Sequence, residues 1–278
     1  MKVGIIGLGL IGGSLGLTLR SLGWDVLGVS RNPQTCEAAV AQGVVDRASV
    51  ELSQLKPAEI IFICTPMGLI VPIAQQLVPW LSPATIVTDV GSVKTPIVES
   101  LAPIWPNFVG GHPMAGTAAQ GLGAAQLGLF KDRPYVLTPV ETTPPESLEQ
   151  VTKIVRSLQA KVYHCSPQDH DRAVALISHL PVFVSAGLIA TCTDRPVDSV
   201  QDLAQKLASS GFADTSRVGG GNPELGRMMA QYNREALRES LLSYRQGLDR
   251  VLTWIENEDW AALDGYLQKT QQGRPKFL

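Results

Sequence analysis

The feature that most constrains this chain is the hexapeptide Gly7-Leu8-Gly9-Leu10-Ile11-Gly12. It follows an apolar run from Lys2 to Ile6 and opens a helix-compatible stretch, Ile11 to Ser21. Between a strand and a helix, each glycine of this spacing has a use: a tight turn, close approach of backbone to a pyrophosphate, and contact between helix and strand. Backbone N–H groups of Leu10 and Ile11 at the helix start would then face phosphate oxygens. The competing reading takes Val3 to Leu19 as a signal segment. Glycines at 4, 7, 9, 12, 13 and 16 oppose a continuous helix there, and the run stops just short of the roughly 18 apolar residues of a membrane span.

Downstream of the hexapeptide, short β-branched runs alternate with longer helix-compatible stretches, the pattern of βαβ units around a parallel sheet. Candidate strands are Lys2 to Ile6, Asp25 to Val29, Glu59 to Cys64, Thr85 to Val90, Asn107 to Gly110 and Tyr135 to Thr138. After the turn-rich PVETTPP (Pro139 to Pro145), a helix from Pro145 to Gln159 and a strand from Lys161 to Cys165 complete the domain. We therefore expect an α/β Rossmann-like doubly wound sheet over residues 1–165, followed by an all-α dimerisation domain over 166–278. Ser166, Pro167 and Asp169 supply a helix N-cap, a first-turn proline and a capping-box acid, and Pro181 is expected to kink the helix that follows. Asn222, Pro223 and Glu224 repeat the start signal before a helix predicted to run past Trp254. A helix that long in about 110 residues needs a partner to cover it, so a homodimer through the helical half is expected.

Charge narrows the partners. Lys+Arg number 23 against Asp+Glu 25, a formal net charge of −2, so no chain-wide basic field is available to neutralise phosphates and nucleic acid is not expected. The charged fraction, 17%, is below the usual ~25%, as expected of a core-rich globular chain with no membrane association. Cys36, Cys64, Cys165 and Cys192 form no C-x-x-C pair, which points to free thiols in a reducing, cytoplasmic compartment and to no metal site.

Cofactor preference is read at the end of the second strand, where an acid would bond the adenosine ribose of NAD. Here the chain reads Val29-Ser30-Arg31. With no carboxylate to repel a 2′-phosphate, and with Arg31, the Ser30 hydroxyl and Thr35 as donors, NADP is expected. The bland alternative is a surface arginine before a helix capped by Asn32 and Pro33. Thr65-Pro66 and Asp89-Val90-Gly91-Ser92 end two further strands and should face the same crevice. After the next strand comes Gly110-Gly111-His112-Pro113-Met114-Ala115-Gly116-Thr117, which puts a histidine at a strand end where it can accept a hydrogen bond from a substrate hydroxyl as hydride leaves the same carbon.

Taken together, VGIIGLGLIGGSLG (Val3 to Gly16), ICTP (Ile63 to Pro66), TDVGSVK (Thr88 to Lys94), GGHPMAGT (Gly110 to Thr117), SHLP (Ser178 to Pro181) and DTSRV (Asp214 to Val218) resemble the prephenate and arogenate dehydrogenases of tyrosine biosynthesis. The resemblance implies oxidative decarboxylation of a cyclohexadienyl ring, with L-arogenate and NADP favoured and prephenate as the alternative. It assigns His112 as hydroxyl acceptor, Ser92 as the group orienting His112 and the nicotinamide end, Arg217 as a carboxylate ligand and His179 as a pocket residue. The chain departs from the family's pattern at Ala118, where many members carry an acidic or polar residue. Two other readings stay open. β-Hydroxyacid dehydrogenases also join a GLGxxG domain to a helical one, but they share a catalytic lysine early in the first interdomain helix, where this chain has Asp169, His170, Asp171 and Arg172. A non-catalytic NADP sensor is the other.

Overall fold

The computed structural model describes residues 1–117, 119–194 and 199–277; Ala118 and the feature expected at it lie outside them. The first half forms an eight-stranded sheet. Its strands are β1 (Lys2–Ile6), β2 (Asp25–Val29), β3 (Arg47–Ser49), β4 (Ile60–Ile63), β5 (Ile86–Asp89), β6 (Phe108–Pro113), β7 (Pro134–Thr138) and β8 (Lys161–His164), in the order β3-β2-β1-β4-β5-β6-β7-β8. Helices α1 (Leu10–Ser21), α2 (Pro33–Ala41), α3 (Met67–Leu77), α4 (Thr95–Leu101) and α5 (Pro145–Ser157) connect the strands.

The alternation of side chains along β4 shows why the sheet needs helices on both faces. Ile60 and Phe62 enter one apolar cluster with Leu15, Leu19 and Val151, whereas Ile61 and Ile63 enter the other with Ile70, Leu77 and Leu101. All four are buried, as expected of a central parallel strand. β1 lies between β2 and β4, so the chain leaves it in opposite directions and a crevice opens beyond the carboxyl ends of β1 and β4.

Two features of the sheet differ from expectation. β3 has only three residues, too few to show a period in sequence, yet it pairs with β2. β7 runs antiparallel to β6. Among its described residues the connection between them, residues 114–133, contains only a short 3-10 turn at Leu122–Ala124 and no crossover helix that would return the chain in parallel.

The second half is helical among the described residues: α6 (Pro167–Val174), α7 (Leu180–Thr193), α8 (Ser199–Leu207), α9 (Ser210–Ser216), α10 (Pro223–Tyr232), α11 (Arg234–Glu256) and α12 (Trp260–Gly273). The Ser166 side chain accepts the Asp169 N–H at 3.0 Å, and the Asn222 side chain accepts the Glu224 N–H at 2.9 Å, so both start signals act as caps. The helix through Pro181 does not break. A π-helical turn, Ala175–His179, joins α6 to α7 just before the proline whose missing N–H already interrupts the ladder.

The helix expected to run from Asn222 past Trp254 is instead divided at Asn233, with φ −116° and ψ 40°. Asn233 is buried, and its amide donates to the Asp171 carbonyl oxygen at 2.8 Å. That bond, to a residue 62 positions away, holds it out of helical geometry.

Candidate active site

The glycine turn has the shape that a dinucleotide requires. Gly7 has φ +95°, and a Cβ there would lie 2.6 Å from the Cys64 carbonyl oxygen. A Cβ on Gly12 would collide with the Gly7 carbonyl oxygen. Both glycines therefore serve packing. Gly9 differs: it caps α1 without a side-chain bond, and a Cβ there would meet nothing within 4 Å. The open space lies at the first N–H groups of α1, from Leu10 and Ile11, the kind of helix start at which phosphate groups bind.

Around this turn stand the other residues expected at the cofactor. Ser30 and Thr35 are half-buried beyond β2, and Arg31 is exposed between them with no ion pair among the described residues. Thr65 and Pro66 follow β4, and the Thr65 hydroxyl is buried with no partner among the described residues, an orphan of the kind a ligand would satisfy. Ser92 is half-buried between β5 and α4.

His112 sits near the end of β6, held there by close packing behind it. A Cβ on Gly110 would collide with the Thr138 hydroxyl, and one on Gly111 would lie 2.7 Å from the Asp89 carbonyl oxygen. Asp89 and Lys94, both fully buried, form an ion pair. Lys94 Nζ also donates to the Gly111 carbonyl oxygen at 2.7 Å. The Asp89 carboxylate accepts the N–H groups of Gly91 and Gly111 at 2.8 and 3.1 Å. Burial lowers the Lys94 pKa, and the attraction of Asp89 opposes that shift.

The His112 ring meets α6. His112 Nδ1 lies 2.8 Å from His170 Nε2, the two rings being edge-on with centroids 5.0 Å apart. His170 Nδ1 lies 2.8 Å from Asp171 Oδ1. Asp171 in turn accepts the Lys94 N–H at 2.7 Å and the Thr95 N–H at 2.8 Å, tying α6 to the start of α4. Its carboxyl is shifted below its usual range: burial opposes this, but the bonds from His170, Thr95 and Lys94 outweigh it. His112 Nδ1 is thus paired with His170, and no hydrogen bond joins it to Ser92 among the described residues.

Burial first, then His170, Lys94 and His179, hold the His112 imidazole well below the ordinary histidine pKa. His179 ends the π turn, buried, with Nδ1 3.2 Å from the Asn233 amide nitrogen and Nε2 unpartnered. Burial lowers its pKa to about 4, the Asp171 charge opposing the shift. Arg217 follows α9, exposed and without an ion pair among the described residues. Its loop is fastened to α7 by the Gly219 N–H, which donates to the buried Ser185 hydroxyl at 2.8 Å; a Cβ on Gly219 would strike the Ala186 backbone.

Comparison with known proteins gives the family. Residues 15–164 match the model of the prephenate dehydrogenase nucleotide-binding domain, and residues 166–269 match that of the prephenate dehydrogenase dimerization domain. The chain belongs to the prephenate dehydrogenase family. The crystal structure of Synechocystis arogenate dehydrogenase is 54% identical, with a TM-score of 0.93 and 100% of both chains covered. Prephenate dehydrogenase from A. aeolicus, solved with hydroxyphenyl propionate and NAD+, is 28% identical at a TM-score of 0.93, covering 100% of this chain and 98% of that one. The Bacillus subtilis prephenate dehydrogenase is 30% identical over 277 residues, 97% of this chain and 74% of the relative. A 3-hydroxyisobutyrate dehydrogenase from Mycobacterium tuberculosis, at 15% identity and a TM-score of 0.55, shares the fold alone. This family member is an oxidoreductase, and the β-hydroxyacid dehydrogenase reading is not favoured.

Sequence reasoning set Asp89 at a strand end facing the crevice but missed its buried partner Lys94 and the contacts of His170, Asp171 and Asn233. The cap at Ser166 locates His170 and Asp171 in the first turns of α6, but nothing local indicates that they meet a strand 58 residues earlier.

The buried histidines carry a stability consequence. His112 and His179 titrate lower in the folded chain than in the unfolded one, where histidine lies near 6.5. Below that pH the unfolded chain binds more protons, so stability present above 6.5 is lost as the pH falls toward 4. Denaturant unfolding should show this loss, and a shallower one in His179→Gln. Equal pH slopes for the two proteins would contradict a buried neutral His179.

Proposed function

We propose that this enzyme converts L-arogenate to L-tyrosine by oxidative decarboxylation, with hydride transfer to NADP. The observation that carries the reaction class is His112, buried near the carboxyl end of β6 and hydrogen-bonded only through Nδ1 among the described residues. Its Nε2 is the free acceptor for a ring hydroxyl. Arogenate is favoured over prephenate by the full-length likeness to the Synechocystis arogenate dehydrogenase, whereas the curated relatives named prephenate dehydrogenases keep prephenate as the second reading.

A nicotinamide dinucleotide, when bound, supplies the hydride acceptor. Gly7 and Gly12 shape the turn, and Gly9, Leu10 and Ile11 present backbone at the pyrophosphate. Ser30, Arg31 and Thr35 receive the ribose 2′-phosphate, and Thr65, Pro66 and Ser92 line the way toward the nicotinamide end. His112 shares the hydrogen of the substrate hydroxyl as hydride leaves the carbon bearing it. The electron pair of the opposite carbon–carboxylate bond then enters the ring, carbon dioxide departs and the product is a phenol. Arg217 pairs with a substrate carboxylate in the planar, two-point geometry of a guanidinium. The buried N–H on Nε2 of neutral His179, left over once Nδ1 accepts from Asn233, offers a further donor to the substrate.

Initial rates with each substrate and each cofactor test this reading. Arogenate with NADP should give the highest kcat/KM, and Arg31→Ala should erode the preference for NADP over NAD. His112→Asn should lower kcat by about 10² to 10⁴ with cofactor affinity intact. Arg217→Ala should mainly raise KM, by about 10- to 100-fold, the loss of a charge-assisted hydrogen bond. Turnover of prephenate alone, or near-normal kinetics in His112→Asn, would contradict the reading.

The same reading divides the chain at residues 165 and 166 and makes it a cytoplasmic homodimer. The support is an apolar surface that this chain cannot cover. By length and composition alone, the segment Pro167–Thr193 could cross a membrane: its most apolar 18-residue window has a mean hydropathy of 2.0, and only 22% of that window is buried. Its polar start is locked into the α/β domain through His170 and Asp171, so a second copy of the chain is the better cover. Ile177 on that segment and Leu203, Leu207 and Leu252 elsewhere in the helical half are exposed apolar side chains. Four free cysteines fit a reducing compartment. Sedimentation should give twice the 29.8 kDa chain mass at micromolar concentration; a persistent monomer would contradict the dimer.

A further inference from the structure

We propose that His170 and Asp171 are positioning residues that hold His112 in one tautomer, with the hydrogen on Nδ1 and the lone pair on Nε2. The proposal rests on reading His112 as the acceptor for the substrate hydroxyl, and it states why that ring is able to accept.

The direction of the chain follows from its far end. Asp171 receives two backbone N–H groups, from Lys94 and Thr95, so both carboxylate oxygens already act as acceptors. It also lines an open cavity of about 460 Å³ between α4, α6 and α11, where solvent reaches it. A carboxylate in this setting has no hydrogen to give, so the hydrogen in its 2.8 Å contact with His170 belongs to His170 Nδ1. A neutral imidazole carries one N–H, which leaves His170 Nε2 as an acceptor. The 2.8 Å contact from His170 Nε2 to His112 Nδ1 therefore needs its hydrogen on His112 Nδ1. His112, neutral in its buried position, is left with its lone pair on Nε2. With His170 neutral each assignment sets the next, and the reverse order would put the His170 Nδ1 lone pair against a carboxylate oxygen that is itself only an acceptor.

The geometry limits what else the dyad can do. His170 is buried behind His112, so it acts through that ring and not on the substrate. Asp171 is a poor probe, because its carboxylate also receives the amides that begin α4. His170 is the informative position.

The test is the nitrogen-15 spectrum of histidine-labelled enzyme at pH 8, with His112 assigned by its loss in His112→Asn. The expected result is a protonated Nδ1 and an unprotonated Nε2 on His112, with the pattern reversed or mixed in His170→Leu. In parallel, His170→Leu should lower kcat about 10- to 100-fold, the scale of one lost orienting hydrogen bond, with KM and cofactor affinity little changed. His170→Gln, whose side-chain oxygen can accept the Nδ1 hydrogen, should recover most of the rate. A wild-type His112 with its hydrogen on Nε2 overturns the proposal, and that measurement needs no variant of His170 to fold. An unchanged tautomer with unchanged kcat in a folded His170→Leu overturns it as well. If neither arogenate nor prephenate were turned over while His112 kept its hydrogen on Nδ1, the positioning role would stand and the functional reading would fail.

Discussion

The buried ion pair between Asp89 and Lys94 is the constraint from which the rest of the site is built. Neither side chain reaches solvent, and such a pair repays its desolvation only if its remaining donors and acceptors are also satisfied. Here Gly91, Gly111 and the Gly111 carbonyl oxygen complete it. Removing one partner of a buried pair typically costs about 3–5 kcal/mol, because the other charge is left unpaired. The pair binds three consecutive elements, β5, α4 and β6, into one unit. His112 is the next residue after Gly111, so its backbone position is set by this unit and not by the loop that follows.

From there the proposed site draws on two layers of structure. The sheet supplies the glycine turn, the orphan Thr65 hydroxyl and His112. The helical half supplies His170 and Asp171 at the start of α6, His179 at the π turn and Arg217 after α9. Asn233 joins two of these, donating to the Asp171 carbonyl oxygen and facing His179, at the cost of dividing a long helix. In the proposed function the polar start of α6 serves the chemistry, whereas the apolar remainder of the segment through α7 serves association. The two uses of one helix explain its uneven composition.

Much of this was legible in sequence for physical reasons. The glycine spacing, the alternation of β-branched runs with helices, and the caps at Ser166 and Asn222 are local signals, and local signals survive without a structure. His112 was legible because glycines and a proline around a strand end mark a constrained position. Three things were not. β3 is too short to show a period. The break at Asn233 is imposed by a bond 62 residues distant. The contact of His112 Nδ1 with His170 joins residues 58 positions apart, and the resemblance named only Ser92 as orienting His112. Misses of this kind concern contacts across the fold, where propensity carries no information.

The central claim is that the crevice beyond β1 and β4 and the imidazole of His112 serve one reacting centre. A crystal structure with NADP and tyrosine bound together tests it most directly. The account predicts His112 Nε2 within about 2.6–3.2 Å of the phenolic oxygen, with the carbon bearing that oxygen about 3–3.5 Å from the hydride-accepting carbon of the nicotinamide. A phenolic oxygen held by other groups, with the His112 ring turned into the protein interior, would contradict it.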